Sequence, residues 1–200
     1  EYIKTKNLIK ESQGAQIIEV AEENDDHEVP PLLLIKSNGS ASYETTDLAC
    51  IWERMKKWSP DEIWYLTDSR QALHFEQVFR AAKKTEIVKP ETKLEFIPFG
   101  TMNGADGKPF KTRDGGVLQL NDLINQVKDE LDKKMTNFED VEEKKKIIDI
   151  LACATIKYAD LLPFRTTDYI FDVEKFCSFE GKTGPYVLYT MVRIKSILDK

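Results

Sequence analysis

Three short apolar runs separated by stretches of helical periodicity constrain this chain most. They are Leu32-Leu33-Leu34-Ile35, Ile63-Trp64-Tyr65-Leu66-Thr67 and Leu94-Glu95-Phe96-Ile97-Pro98-Phe99. The first is apolar throughout, the pattern of a strand covered on both faces. Between the first and second runs, Leu48, Ile51, Trp52 and Met55 recur at three- and four-residue steps. This predicts a helix capped near Thr45 or Thr46 and stopped at Trp58-Ser59-Pro60. Between the second and third, Leu73, Phe75, Val78, Phe79 and Ala82 mark another. An earlier strand is expected over 16–20, and the acidic stretch 22–28 is expected to be a solvated turn. Such alternation of strand and helix argues for a parallel sheet with crossover helices, so the expected fold class is α/β. In that architecture ligands bind beyond the carboxyl ends of the strands. The polar residues of 40–47, 68–74 and 100–114 are therefore the first candidates for a site.

After residue 120 the pattern is almost only helical. Leu123, Ile124, Val127, Leu131 and Met135 form one stripe. Ile147, Ile148, Leu151, Ala154 and Tyr158 form a second, ended by Pro163. A last helix carries Tyr186, Val187, Tyr189, Met191, Val192, Ile194 and Ile197, and its apolar side is wide. That side, together with an opening residue that is Glu1 rather than Met, leads to the expectation of a piece of a longer protein with a further helical domain cut away.

Composition excludes several classes. With 41% hydrophobic and 32% charged residues, the chain is neither disordered nor of low complexity. No apolar run approaches the roughly 20 residues of a membrane-spanning helix. No basic and apolar leader opens the sequence, so secretion is not expected. The net charge of −6 is not that of a dedicated nucleic-acid binder, although a local basic patch suffices for RNA. Cys50, Cys153 and Cys177 are odd in number and far apart, which fits a reducing, cytoplasmic setting better than a disulfide framework. With His27 and His74 the only histidines, no His-rich metal site is expected.

Spacing alone leaves each candidate open to a bland reading. Asp68 or Ser69 can cap a helix, with Gln71 and His74 one turn apart on the same face. Tyr43 and Asp47 lie four apart, and on one face if the helix starts early. Either pair could as well grip a ligand, Asp47 offering a carboxylate to a cation. The segment 103–116 bunches four glycines with Lys108, Lys111, Thr112 and Arg113. Amide and ammonium groups in such a loop can reach anionic oxygens, but the order is not that of a P-loop.

Taken together, the segments resemble the arginyl-tRNA synthetase family. Lys36-Ser37-Asn38-Gly39 through Tyr43, Thr45-Thr46-Asp47-Leu48-Ala49 is similar to the family's K-S-D-G-x-x-x-Y-x-T-T-D-[LI]-A. Tyr65 through Asp68, Gln71 and His74 resembles Y-x-x-D-x-x-Q-x-x-H. Phe99-Gly100 through Asp106-Gly107-Lys108 and Phe110-Lys111-Thr112-Arg113 resembles F-G-x-x-x-G-x-D-G-K-x-F-K-T-R. Lys157-Tyr158-Ala159-Asp160-Leu161, Arg165-Thr166-Thr167-Asp168-Tyr169 and Phe179 through Tyr186 resemble K-Y-A-D-L, R-T-T-D-Y and F-x-G-N-T-A-P-Y.

The resemblance implies the C-terminal half of a Rossmann-type class I catalytic domain over 1–120, connecting helices over 121–184, and over 185–200 the first helix of a truncated anticodon-binding domain. It implies an enzyme that joins L-arginine to tRNA(Arg) with ATP, Mg2+ accompanying the nucleotide. Tyr43, Asp47 and Gln71 fall on the arginine-recognition positions. His74, Phe99 and Gly100 fall where adenosine lodges. The loop with Lys108, Lys111, Thr112 and Arg113 takes the place of the KMSKS element, with Lys111 as the principal phosphate-stabilising residue. Nothing resembles the HIGH signature, so the chain alone is expected to be inactive. Phe96 stands where His is common, and Lys182 and Gly184 replace Asn and Ala. The alternative is a non-catalytic paralogue that binds arginine, nucleotide or RNA.

Overall fold

The computed structural model describes residues 2–104, 106–108, 119–136 and 138–200. Its residues fall into two units, Glu1–Phe99 and Gly100–Lys200.

In the first unit, Gln13 and Gly14 both take positive φ, 50° and 77°. Two such residues make the tight turn whose twist suits a hairpin. They join β1 (Ile9–Ser12) to β2 (Ala15–Ile18), with Ser12 opposite Ala15. β3 (Leu32–Ile35) then pairs antiparallel with β2. The first three strands are thus an antiparallel meander, and the expected strand over 16–20 is shorter and begins earlier.

The parallel pairing holds for the next two strands. α1 (Tyr43–Trp58) leads to β4 (Glu62–Asp68), and α2 (Ala72–Lys84) leads to β5 (Lys93–Phe99). β4 and β5 run parallel and in step from Glu62 opposite Lys93 to Asp68 opposite Phe99. Leu32, Leu34, Leu48, Ile51, Val78 and Ala82 are buried in one core that both helices share. Leu73 departs from its expected stripe and is 41% exposed. It precedes the buried Phe75 by two residues, about 200° around the helix, and so points the other way.

The acidic stretch 22–28 is not simply solvated. Arg80 of α2 donates to both carboxylate oxygens of Asp25, at 2.6 and 2.8 Å, and to Glu76 at 2.5 Å. His27 bonds Asp26 at 2.7 Å and Glu76 at 3.1 Å. Arg80 holds the Asp25 carboxyl down at about 2, from an ordinary 3.8. Its contribution to stability is therefore complete above about pH 4 and lost as the pH falls through about 2. His27 is raised from 6.5, chiefly by Asp26. Its contribution has the opposite sign, present below pH 6.5 and lost as the pH rises through the folded value. In urea titrations across this range, Asp25→Asn should flatten the acid limb and His27→Ala the neutral one. An unchanged acid limb in the first variant would remove the Arg80 pair from the account.

The second unit is built on helices. α3 (Leu120–Lys134) and α4 (Val141–Leu161) pack through Leu123, Val127, Leu131, Ile148 and Leu151. Asp140 caps α4 by accepting from the Glu142 and Glu143 amides at 2.8 and 3.0 Å. Two short strands not expected from the sequence, β6 (Met102–Asn103) and β7 (Tyr169–Ile170), pair in parallel. α5 (Val173–Phe176) follows, and then α6 (Gly184–Leu198), which Thr183 caps and Pro185 opens. A Cβ on Gly184 would meet the Ala154 carbonyl oxygen at 2.4 Å, so its glycine lets α6 start this close to α4. Met191, Val192, Ile194 and Ile197 of α6 are exposed. Among the described residues, no helix is long and apolar enough to cross a membrane.

Candidate functional site

The candidate residues of the first unit gather around the carboxyl ends of β4 and β5. Ser42, not Thr45 or Thr46, is the N-cap of α1, its Oγ accepting from the Thr45 amide at 3.1 Å. Ser42 Oγ in turn donates to the Leu33 carbonyl at 2.5 Å, and Thr45 Oγ1 donates to the Leu34 carbonyl. These bonds tie the start of α1 to β3. They also start the helix early enough for Tyr43, Glu44 and Asp47 to share its first turns. Carboxylates there are favoured by the helix dipole.

At the end of β4, Asp68 accepts from the Arg70 amide at 2.9 Å and takes the Arg70 guanidinium on both oxygens at 2.8 Å. A tight turn, Ser69–Gln71, carries the chain into α2. Gln71 is exposed at its end. His74 lies one turn on and meets α1: its Nε2 is 2.7 Å from Asp47 Oδ2, and its Nδ1 is 3.9 Å from Glu44 Oε1. Asp47 Oδ1 has no protein partner among the described residues. Tyr43 is 82% exposed, with Lys36 Nζ 6.0 Å from its ring centroid.

Below this group lies an aromatic cluster. Phe75 contacts Tyr65 at 4.8 Å between ring centroids and stacks on Phe96 at 5.6 Å. Tyr65 OH accepts from Arg54 at 2.9 Å, and burial pushes its phenol pKa upward. The phenylalanine at 96 thus fills a packing position beneath α2. Phe99, opposite Asp68 in register, is partly exposed at the strand end. Among the described residues, no hydrogen bond or ring contact joins Tyr43 or Gln71 to Asp47 or His74; the open oxygen of Asp47 is suited to a cation with directed donors.

Gly100 belongs to the second unit, where its need for glycine has a local cause. Its amide donates to the Arg165 carbonyl at 2.9 Å. A Cβ there would lie 2.5 Å from the Thr167 carbonyl carbon and oxygen and 2.8 Å from the Asp168 nitrogen. The Asp168 side chain accepts from the Thr101 amide at 2.7 Å. Two distant motif segments are therefore one packed seam. Beyond it, Gly104 donates to the Lys108 carbonyl at 2.8 Å, Gly107 takes φ 71°, and Lys108 is exposed. Lys111, Thr112 and Arg113 lie outside the described residues.

Glu44 was not singled out by sequence reasoning, although its i, i+3 spacing to Asp47 could have marked it. Asp168 had no bottom-up signal, because its partner is 67 residues away.

Residues 1–173 match the family model "tRNA synthetases class I (R), catalytic domain". The chain belongs to the class I arginyl-tRNA synthetase family. An arginine–tRNA ligase of Alkaliphilus oremlandii is 52% identical over 202 residues, covering all of this chain and 34% of that protein. One from Francisella tularensis is 50% identical over 199 residues, again over the whole chain and 33% of the relative. The chain thus spans about a third of the length of these curated relatives. The arginyl-tRNA synthetase of Plasmodium falciparum superposes with a TM-score of 0.76 at 30% identity, over all of this chain and 33% of that one. The arginyl-tRNA synthetase of Thermus thermophilus, 18% identical, shares the fold with a TM-score of 0.72 over 99% of this chain and 39% of its own.

Proposed function

We propose that this chain is the part of an arginine–tRNA ligase that reads the substrate guanidinium and carries the later phosphate-binding loop. The whole protein activates L-arginine with ATP to arginyl-adenylate and transfers it to tRNA(Arg) in the cytoplasm. The Asp47 carboxylate carries this reading: one oxygen is held by His74, and the other has no protein partner among the described residues. A guanidinium can meet it with a directed N–H, whereas the lysine ammonium, a compact point charge, matches it poorly. Tyr43 packs against or hydrogen-bonds the substrate, and Gln71 offers an acceptor. Residues 1–120 form the second half of the Rossmann-type catalytic domain, 121–184 the connecting helical region, and 185–200 the first helix of an anticodon-binding domain.

ATP is bound by Phe99, Gly100 and the loop containing Lys108, Lys111, Thr112 and Arg113. Lys111 neutralises charge developing on the phosphates as the arginine carboxylate displaces pyrophosphate. Among the described residues, no group of three or more His, Cys, Asp or Glu could hold a metal ion. Mg2+ comes with ATP, held through its phosphates, as is usual for this cation. A non-catalytic paralogue is not favoured by identities near half over the full chain.

Arginine-dependent pyrophosphate exchange by the full-length protein, with tRNA(Arg) present, tests the reading. Arginine should support exchange and lysine should not. Equal exchange with lysine would overturn the role given to Asp47. Lys111→Ala should slow adenylate formation about a hundredfold with little change in arginine KM. An unchanged rate would take the phosphate role away from it.

A further inference from the structure

We infer that His74 is a positioning residue for the arginine-reading carboxylate and not a contact to the nucleotide; this rests on the function proposed above. Its Nε2 is committed to Asp47 Oδ2 at 2.7 Å, across the α1–α2 packing and 27 residues along the chain. Its Nδ1 faces the second carboxylate, Glu44, at 3.9 Å. The three side chains are only 20 to 30% accessible, so the group is sheltered rather than a surface pair. The imidazole also has a rigid base. It stands edge-on to Phe75 with ring centroids 5.0 Å apart, and Phe75 stacks on Phe96 of β5. The sheet thus fixes Phe75, Phe75 fixes the His74 ring, and the ring fixes the plane of the Asp47 carboxylate.

A carboxylate tethered at Oδ2 cannot rotate freely, and its Oδ1 keeps one direction. Recognition of a planar, multi-donor guanidinium depends on that direction, whereas attraction to an ammonium depends mainly on distance. His74 therefore contributes to choosing arginine over lysine without touching arginine. A nucleotide contact through the same Nε2 would have to break the bond to Asp47.

The test uses the full-length enzyme with tRNA(Arg) present and pyrophosphate exchange titrated separately with arginine, lysine and ATP. His74→Ala should raise arginine KM about tenfold to a hundredfold, the range expected for losing a hydrogen bond to a charged group. It should lower the arginine-over-lysine preference in kcat/KM by a similar factor and leave ATP KM and kcat nearly unchanged. His74→Gln, whose Nε2–H can reach the same oxygen, should restore most of the loss. A raised ATP KM with unchanged arginine KM, in either variant, would overturn the inference in favour of a nucleotide contact. Unchanged constants in both would overturn it outright. If His74→Ala does not fold, the Gln variant decides alone: near-native arginine KM and preference support the inference, and a defect in ATP KM overturns it. A wild-type enzyme without arginine-dependent exchange would instead defeat the proposed function itself.

Discussion

Asp47→Ala in the full-length enzyme is expected to raise the arginine KM between about a hundredfold and a thousandfold. Truncating one partner of a sheltered, hydrogen-bonded charge pair costs about 2–5 kcal/mol, and each 1.4 kcal/mol is a factor of about ten. Asp47 is partly sheltered, its side chain 30% accessible, which places the loss inside that range and not at its top. Removal of the carboxylate also leaves His74 Nε2 without its acceptor, with Glu44 still 3.9 Å from Nδ1. Asp47→Asn should fall between alanine and wild type, since an amide oxygen can still accept from His74 but carries no charge. Initial rates of pyrophosphate exchange over a wide arginine range, with tRNA(Arg) present, would measure both. An arginine KM left where it was in Asp47→Ala would end the claim that this carboxylate reads the guanidinium.

The second large effect concerns stability. Gly100→Ala should destabilise the second unit by about 3 kcal/mol, at the upper end of overpacking costs. Ordinarily a crowded methyl group can push a side chain aside. Here the nearest atoms are the Thr167 carbonyl carbon and oxygen, at 2.5 Å, and backbone cannot yield without breaking the Gly100–Arg165 and Thr101–Asp168 hydrogen bonds. For a unit of about 100 residues this is a fall in melting temperature of roughly 10–20 °C. All the tryptophans, Trp52, Trp58 and Trp64, lie in the first unit, whereas α3, α4 and α6 dominate the second. The helical circular-dichroism transition of the variant should therefore move to lower temperature more than the tryptophan-fluorescence transition does. Coincident, unshifted transitions would show that residue 100 tolerates a side chain and that its glycine serves some other purpose.

Strongly periodic elements were legible in the sequence. The buried positions of α1 and α3 follow from three- and four-residue spacing, because one stripe of each helix meets a core; in α4 the spacing found Ile148 and Leu151, whereas the buried stripe continues through Ala152, Thr155 and Ala159 rather than Ala154 and Tyr158. β4 and β5 were legible because short, aromatic-rich apolar runs bounded by polar turns and flanked by helical periodicity read as strands. The antiparallel pairing of β3 was not, since Leu32–Ile35 is apolar on both sides and carries no record of its partner. β6 and β7, two residues each, are too short for any periodicity and exist only through each other. At the site, the turn chemistry located Asp47 and His74 on neighbouring helix starts. Their direct contact depends on how α1 and α2 pack, and no spacing within either helix encodes that. Gly100 was read as part of a nucleotide site, and the structure adds a reason internal to its own unit. Phe96 likewise acquires a reason, as the ring on which Phe75 rests.

The seam between Thr101 and Asp168 joins residues 67 positions apart, and α3 and α4 occupy the chain between them. Closing so long a loop costs chain entropy before it returns any contact, whereas the α3–α4 pair needs only local encounters. On this ground the helical hairpin is expected to form before the seam. A late seam contributes little to the speed of folding and much to the barrier against coming apart. On that expectation the segments around Gly100–Thr101 and Arg165–Asp168 would act as the clasp of this unit, slowing its unfolding more than they speed its folding.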